Sequence, residues 1–525
     1  MHVFGIEGTA WAASAASFDS DTDEIFIESD PYLPESGGIH PREAAEHMAE
    51  AIPRVIREVL STIRSAGDTI DVVAFSRGPG LGPCLRIVAS AARALAQSLE
   101  VPLVGVNHMV AHLEIGRHRS GFSDPVCLNA SGANAHVLGY HNGRYQVLGE
   151  TMDTGVGNAL DKFARHLNWE HPGGPKIEEA ARDGEYTDLP YVVKGMDFSF
   201  SGIMSAAKAA VDSDERVENV CFSLQENVFA MLTEVTERAL SLTGSDELIL
   251  GGGVGQNTRL KTMLETMCEA RDASFHAPEA RFLRDNAGMI AVLGAKMATV
   301  GDTLAIEESQ VNPNFRPDQV AVTWREEESV SRPPSGNEAV IGAEATVKIG
   351  DDVRKRRLPK EYRHPELDSR LRRERTGNEA RLTSLARRAG VPTPVLKDID
   401  LREGEIVFER VGETDLIEKL APECVREVGR HLVVLHEAGF VHGDLTPRNA
   451  RVTQERTYCI DFGLGYHTDE IEDFAMDLHV FERSLAGTAT DFDACKTAFE
   501  AGYRESGDAE VLSQLRAIEG RGRYR

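Results

Sequence analysis

Two histidines four residues apart stand in the stretch Asn107-His108-Met109-Val110-Ala111-His112-Leu113-Glu114. On a helix this spacing puts both imidazoles on one face, one turn apart, where a single metal ion could take both. Asn107 sits at the position of a helix N-cap, just after the apolar run Val101-Pro102-Leu103-Val104-Gly105-Val106. A His-Glu-x-x-His protease is disfavoured, because Met109 follows His108 and no general-base Glu is built in. The pair alone leaves two readings open, a metal site or two partly buried histidines. A second chemistry is offered by three glycine-rich turns: Gly5-Ile6-Glu7-Gly8-Thr9, Asn129-Ala130-Ser131-Gly132-Ala133-Asn134 and Gly251-Gly252-Gly253-Val254-Gly255-Gln256-Asn257. Each presents backbone N–H groups with no side chain in the way, which suits phosphate. Any one alone reads as a tight turn; three in one domain suggest a nucleotide cleft between two lobes.

The elements that must position these residues alternate between strand and helix. Val3 to Thr9 reads as a strand entering a glycine turn, Ala44 to Ser65 as a helix, and Asp71 to Ser76 as a buried strand. The loop Gly78-Pro79-Gly80-Leu81-Gly82-Pro83 leads into a helix ending near Leu99, and the strands near Pro125–Leu128 and Glu247–Leu250 repeat the scheme. This alternation means an α/β fold with a central sheet. From Asn312 to Asn337 the chain turns rich in Pro and charge, a linker composition, and a domain boundary is placed near residue 335. Residues 338–525 carry 30 basic and 36 acidic groups, net −6, against a whole-chain charge of −27, so the remainder carries −21.

The chain has 525 residues, 84 acidic against 57 basic, and only 12 of the basic residues are Lys. That balance points to a salt-rich cytoplasm, where a hydrated acidic surface limits aggregation. Seven Cys at 84, 127, 221, 268, 424, 459 and 495 form no C-x-x-C, which argues for a reducing compartment and against a Cys zinc site. No basic segment precedes an apolar core at the start, and no run reaches the roughly 18 apolar residues of a membrane helix. A soluble, cytoplasmic protein without a membrane partner is expected.

Several stretches carry a resemblance across residues 1–322. They are Gly5 to Ala10, Gly78-Pro79-Gly80-Leu81, Asn107 to Glu114, Asp161-Lys162, Pro172-Gly173-Gly174-Pro175-Lys176-Ile177-Glu178, Phe198 to Gly202, Gly251 to Val254, and Arg284 to Ile290. In this order they resemble the tRNA N6-threonylcarbamoyladenosine transferase of the KEOPS complex. The resemblance implies a two-lobed α/β fold of the actin/Hsp70/sugar-kinase (ASKHA) type. It also implies transfer of a threonylcarbamoyl group from threonylcarbamoyl-AMP to N6 of adenosine 37 in tRNAs that read ANN codons. Carried over by motif, His108, His112 and Asp285 would hold iron or zinc. Asn129, Ala130, Ser131, Gly132, Ala133, Asp161, Gly174, Glu178 and Asn257 would contact the adenylate. One position departs: where the family has a Tyr that serves as a further metal ligand, this chain has Asn129, a weaker neutral donor. On residue type alone, Asp285 could instead cap the helix that follows it, and Asn257 could be a turn residue.

Residues 338–525 carry a second set. His442-Gly443-Asp444-Leu445-Thr446-Pro447-Arg448-Asn449 places an Asn five residues after an Asp, and Asp461-Phe462-Gly463 follows. This is the spacing of a protein-kinase catalytic loop and its magnesium-binding Asp. Val353-Arg354-Lys355 resembles the strand bearing the ATP-binding Lys, with Glu379 on a predicted helix as its partner, and Lys355 is preferred to Lys360. Together with Val340 to Ala345 and Lys360 to Asp368, these motifs resemble the small atypical, RIO-like Ser/Thr kinase of KEOPS, a minimal α+β kinase domain. The resemblance assigns Asp444 as proton acceptor. Ile341, Gly342, Ala343, Glu344, Ala345, Thr346, Val347, Lys355, Glu379, Asn449 and Asp461 would bind ATP and magnesium.

The whole reads as a transferase (1–322), a linker (323–337) and a kinase or ATPase that supports it (338–525). Expected partners are tRNA, a small dimerising KEOPS subunit on the first domain and a tRNA-binding subunit on the second. The run 354–388, with 13 basic and 5 acidic residues, is the candidate RNA surface, together with the Arg-rich end of the chain. Two other readings stay open: a sugar or acyl-phosphate kinase on the same fold, and a mainly regulatory fusion in which Asn129 marks lost metal chemistry.

Overall fold

The computed structural model describes residues 1–32, 39–325 and 340–519. Two five-stranded sheets organise the first domain. In the first, the order is Glu24–Pro31, Ala12–Asp19, His2–Glu7, Val72–Gly78, Leu103–Asn107. The first three strands pair antiparallel and the last two extend the sheet in parallel. The second sheet repeats this plan, with Arg144–Glu150, Ala135–His141, Val126–Ala130, Glu247–Gly251 and Ser274–His276. A duplicated lobe of three antiparallel and two parallel strands is the expected two-lobed ASKHA architecture.

The helices follow from apolar spacing. Pro41–Ala66 starts with Pro in its first turn and buries Ala44, Met48, Ala51, Ile52, Val55, Val59 and Ile63, a stripe of helical period. It ends at Gly67 in the left-handed region, φ 81°, where only glycine sits without strain. With Gly82–Leu99 it covers one face of the first sheet, and Ala287–Thr299 packs with the histidine-bearing helix His108–Ser120 on the other.

The second domain has an antiparallel five-stranded sheet (Val340–Ile341, Thr346–Ile349, Asp352–Arg356, Glu405–Glu409, Leu396–Asp400) with the helix Pro365–Ala389 beside it. A lobe of helices follows: Pro422–Glu437, Ile471–Ala486, Phe492–Arg504 and Ala509–Glu519. This is a minimal kinase-like domain.

The two domains meet along the helix Val217–Thr243, which buries Glu226, Glu234, Glu237 and Arg238 as well as its apolar residues. A helix buried with its charges needs partners, and the second domain supplies them. Arg363 and Arg375 reach Glu234 at 2.8 and 2.9 Å, and Lys360 reaches Glu237 at 2.6 Å. Four cations of the basic run at 354–388, read as a candidate RNA surface, are therefore taken up by the domain interface: Lys360, Arg363, Arg370 and Arg375. Among its cations Arg354, Arg356, Arg373, Arg381, Arg387 and Arg388 stay exposed. Of the expected linker 323–337, residues 326–337 lie outside the described residues. The Pro-rich stretch before them is docked. Val320 and Val322 are buried, the Val322 N–H donates to the Gly143 carbonyl at 2.9 Å, and the Arg325 guanidinium lies 3.7 Å from the centre of the Tyr140 ring. The Arg-rich end, 521–525, also lies outside the described residues.

A second ionic junction joins Arg483 to Glu150 and Asp197, at 2.5 Å each. Arg483→Met would leave the buried Asp197 carboxylate without its cation, a loss of about 3–5 kcal/mol, measured as a fall in the denaturant midpoint. Burial pushes the Asp197 carboxyl up to about 6 against Arg483, with Glu150 adding to the rise. Its unfolded value is near 3.8. Between these values the folded chain holds a proton that the unfolded chain has released, so stability falls as pH rises from about 4 to 6. Asp197→Asn should remove that slope, seen by comparing unfolding at pH 4.5 and 7.

Candidate active sites

The histidine helix begins where its sequence says it should. Asn107 caps it, its side chain accepting from the backbone N–H of Met109 and Val110 at 3.0 and 3.1 Å, worth about 1 kcal/mol. Its middle is held by Glu114, fully buried, which accepts from Lys296 at 2.6 Å and from Tyr145 and Arg117. Burial resists that charge, but Lys296 and Arg117 outweigh it and hold the carboxyl down at about 2.

His108 and His112 are 5 % and 1 % exposed, and their rings meet edge to face, 4.8 Å between centres. Asp285 Oδ1 lies 3.4 Å from His108 Nε2 and 3.3 Å from His112 Nε2. All three ligand atoms fall within 4.8 Å of one another. Asp285 is free for this because Asn286 caps the helix after it, accepting from the Met289 N–H at 3.1 Å. Glu7 completes the set: its Oε2 is 3.1 Å from His108 Nδ1 and its Oε1 accepts the Thr9 N–H at 2.8 Å. The first glycine turn thus carries a carboxylate to the histidines.

Two buried imidazoles facing the buried Glu7 carboxylate and the partly exposed Asp285 carboxylate suit a cation. Burial opposes charge on His108, yet Glu7 and Asp285 outweigh it and hold the imidazole up at about 10. Burial pushes His112 down, with the neighbouring His108 adding to the shift. His112 Nδ1 is buried without a hydrogen-bond partner. These donors fit a transition-metal ion.

Asn129, 1 % exposed, turns its amide nitrogen to Met109 Sδ at 3.7 Å and leaves Oδ1 buried without a partner. A Cβ at Gly252 would stand 2.5 Å from that oxygen and 2.3 Å from the Ala130 carbonyl, and one at Gly251 would stand 3.7 Å from His112 Cβ. The triple glycine therefore lies against both Asn129 and the histidine helix. A Cβ at Gly157 would stand 2.7 Å from Gly132 Cα and 3.4 Å from Val254 Cγ2, so Gly157 sits close to both Gly132 and the residue after the triple glycine. Asp161 Oδ1 accepts the Gly173 N–H at 2.7 Å, and beside Gly174 an added Cβ would meet open space. Glu178 Oε1 accepts the Thr258 N–H at 3.0 Å. Asn257 caps the helix Thr258–Ala270 through its side-chain oxygen and donates to Gln225 at 3.1 Å.

In the second domain, Lys355 Nζ lies 2.9 Å from Glu379 and 2.6 Å from Asp461. Lys360 instead serves the domain interface. Asp461 adopts φ 64°, unusual for a residue with a side chain. Burial resists its charge, but Lys355 and Arg357 hold its carboxyl down at about 2. Asn449 donates to the Asp444 carbonyl at 2.8 Å and approaches its Oδ2 at 3.4 Å. Gly342 closes a turn with Ala345 at 2.9 Å, Ala343 lies within it, and Thr346 and Val347 pair with Arg356 and Lys355. The backbone of Ile341 pairs with Thr346.

Comparison with known proteins decides the family. A family model described as TsaD, tRNA N6-adenosine threonylcarbamoyltransferase, matches residues 22–292. A second, described as the phosphotransferase enzyme family (APH), matches residues 415–512. The "Probable bifunctional tRNA threonylcarbamoyladenosine biosynthesis protein" of Halobacterium salinarum is 68% identical over 528 residues, covering 100% of this chain and 99% of its own length. Its counterparts from Haloquadratum walsbyi and Methanospirillum hungatei are 66% and 54% identical, covering 100% and 99% of this chain and the same shares of their own. The chain belongs to this bifunctional threonylcarbamoyltransferase family.

Three residues of this family member escaped sequence reasoning. Glu7 sat within a quoted motif, but its contact with His108 spans 101 positions. Asp477 accepts the His442 and Gly443 N–H groups at 2.8 Å each and so fixes the loop before Asp444. Arg238, from the transferase domain, donates to Asp444 Oδ2 at 2.6 Å and also pairs with Glu344. Arg238 thus occupies one of the two Asp444 carboxylate oxygens. Burial pushes the Asp444 carboxyl up to about 7, and Arg238 opposes the rise. No described helix is long and apolar enough to cross a membrane.

Proposed function

We propose that the first domain transfers threonylcarbamoyl from threonylcarbamoyl-AMP to N6 of adenosine 37 in tRNAs reading ANN codons, and that the second hydrolyses or transfers the γ-phosphate of ATP in its support. The observation that carries the first half is the junction of a cation-demanding set, His108, His112, Asp285 and Glu7, with the triple-glycine loop. Iron or zinc held by His108, His112 and Asp285, with Asn129 Oδ1 as a neutral fourth donor, would polarise the carbamoyl carbonyl. Glu7 orients His108 through Nδ1, leaving Nε2 for the ion. Ser131, Gly132, Ala133 and the triple glycine offer N–H groups to the phosphate. Asp161, Gly174, Glu178 and Asn257 border the nucleoside end. The sugar-kinase alternative gives the buried histidine–carboxylate set no use.

In the second domain Lys355 would engage the ATP phosphates, Asp461 and Asn449 would hold magnesium, and Asp444 would accept the proton. The tRNA substrate and the KEOPS subunits, a small dimerising one on the first domain and a tRNA-binding one on the second, belong to this reading, as does a cytoplasmic location. The test supplies threonine, bicarbonate, ATP, an adenylate-forming enzyme, partner subunits and tRNA, and analyses the nucleosides. Threonylcarbamoyladenosine should appear; its absence from the complete mixture would overturn the proposal.

A further inference from the structure

The last turns of the helix Val217–Thr243 lie against the loop that carries Asp444. Arg238, 7 % exposed, donates from Nη1 to Asp444 Oδ2 at 2.6 Å and pairs through Nη2 with Glu344. One turn further on, the Leu242 carbonyl accepts from Arg448 Nε at 3.1 Å. Arg448 belongs to the same loop, next to Asn449. The first domain therefore grips this loop at two points, a turn apart on one helix.

Arg238 also spans the two lobes of the second domain. Glu344 lies in the turn between the strands Val340–Ile341 and Thr346–Ile349, whereas Asp444 follows the strand Phe440–Val441 in the helical lobe. Behind the guanidinium, Glu234 accepts from Arg238 Nε at 3.2 Å, one turn back on the same helix, and fixes its direction. Burial opposes charge on Glu344, yet Arg375 and Arg238 outweigh it and hold the carboxyl well below the usual carboxylate range. Glu344 thus stays anionic and anchors the guanidinium. A planar fork holds two carboxylates in a set geometry, as a point ammonium does not.

The contact is directional. Asn449 donates to the Asp444 carbonyl at 2.8 Å and approaches Oδ2 at 3.4 Å. Arg238 and Asn449 both use Oδ2, so Oδ1 is the oxygen that neither takes. Fixing one carboxylate oxygen sets where the other points, and a misplacement of about 1 Å can cost about a hundredfold in rate.

We propose that Arg238 is a positioning residue of the second active site, supplied by the first domain. Anchored on Glu344, its guanidinium holds Asp444 by Oδ2 and aims Oδ1 at the proton of the phosphoryl acceptor. This rests on reading the second domain as the site of ATP hydrolysis or phosphoryl transfer. The second site is then complete only while the two domains are docked.

The test is steady-state ATP hydrolysis by the full chain, with a thermal melt on each preparation. Arg238→Lys keeps a cation among the carboxylates, and with it the fold, but loses the fork. Its kcat should fall about tenfold, with KM for MgATP within about twofold and the melt unchanged. KM holds because Lys355 keeps Glu379 and Asp461. Arg238→Met should lower kcat about a hundredfold; if it does not fold, the Lys variant decides alone. If Asp461→Asn abolishes turnover and Arg238→Lys leaves kcat unchanged or raises it, the inference is wrong while the ATP site stands. A rise in KM at constant kcat would make Arg238 a nucleotide-binding group, and a melt that falls in step with kcat would make it structural. Either result overturns the inference. If turnover survives Asp461→Asn, the ATP reading fails and the inference with it.

Discussion

Replacing His112 with alanine abolishes threonylcarbamoyl transfer, with a loss of at least about a hundredfold, and strips the bound metal from the purified chain. The residue is 1 % exposed, and its Nε2 shares Asp285 with His108. Removing it takes away one of two imidazole donors and leaves Asp285 with one. Truncation at this site also opens a small void in a helix buried from His108 to Gly116, so the variant loses some stability. Metal analysis and a thermal melt on the same preparation separate the two effects: a folded chain without metal and without transfer is the expected outcome. Glu7→Gln is the milder companion. It keeps the shape, removes the charge beside His108 Nδ1, and should lower metal affinity about 10- to 100-fold.

Asp461→Asn produces the second large effect. ATP turnover falls at least about a hundredfold, because the carboxylate that would hold magnesium becomes a neutral amide while Lys355 loses one of its two partners. Transfer from preformed adenylate should survive, since Asp461 touches no residue of the first-domain cleft. Steady-state hydrolysis of ATP by the full chain measures it. Hydrolysis that persists would place the ATPase in the first-domain cleft.

Much of this was legible in the chain because the signals are local. The His108–His112 spacing, the Asn107 cap and the Asp444–Asn449 and Asp461-Phe462-Gly463 motifs each depend on residues within a few positions; in the fold Asn107 caps the helix, both histidines come within reach of Asp285, Asn449 meets Asp444, and Asp461 meets Lys355. The pairing of Lys355 with Glu379 followed from motif order and is a 2.9 Å contact. What stayed hidden is long-range charge. Composition showed a basic run at 354–388 but not that acids on the helix Val217–Thr243 would take up Lys360, Arg363 and Arg375 from it. Arg363, Arg375 and Lys360 are individually indistinguishable in sequence from solvated cations, and the docking of the domains sets them on Glu234 and Glu237. Arg238 was invisible for the same reason: its contact with Asp444 joins residues 206 apart. The Pro-rich stretch from 312 read as linker because Pro and charge disfavour regular elements, yet Val320, Val322 and Arg325 dock it on the second sheet. Asn129 remains the departure from the motif that the resemblance flagged, and its unpartnered Oδ1 beside Gly252 gives it a lone pair to offer.

The central claim is that the first-domain cleft performs the transfer through the His108–His112–Asp285 set, independently of the second site. Single-turnover transfer of labelled threonylcarbamoyl from purified adenylate to tRNA, without ATP and with partner subunits present, tests it most directly. Label should reach adenosine 37 with the Asp461→Asn chain and fail to do so with the His108→Ala, His112→Ala chain. Label carried by the chain lacking both histidines would contradict the account.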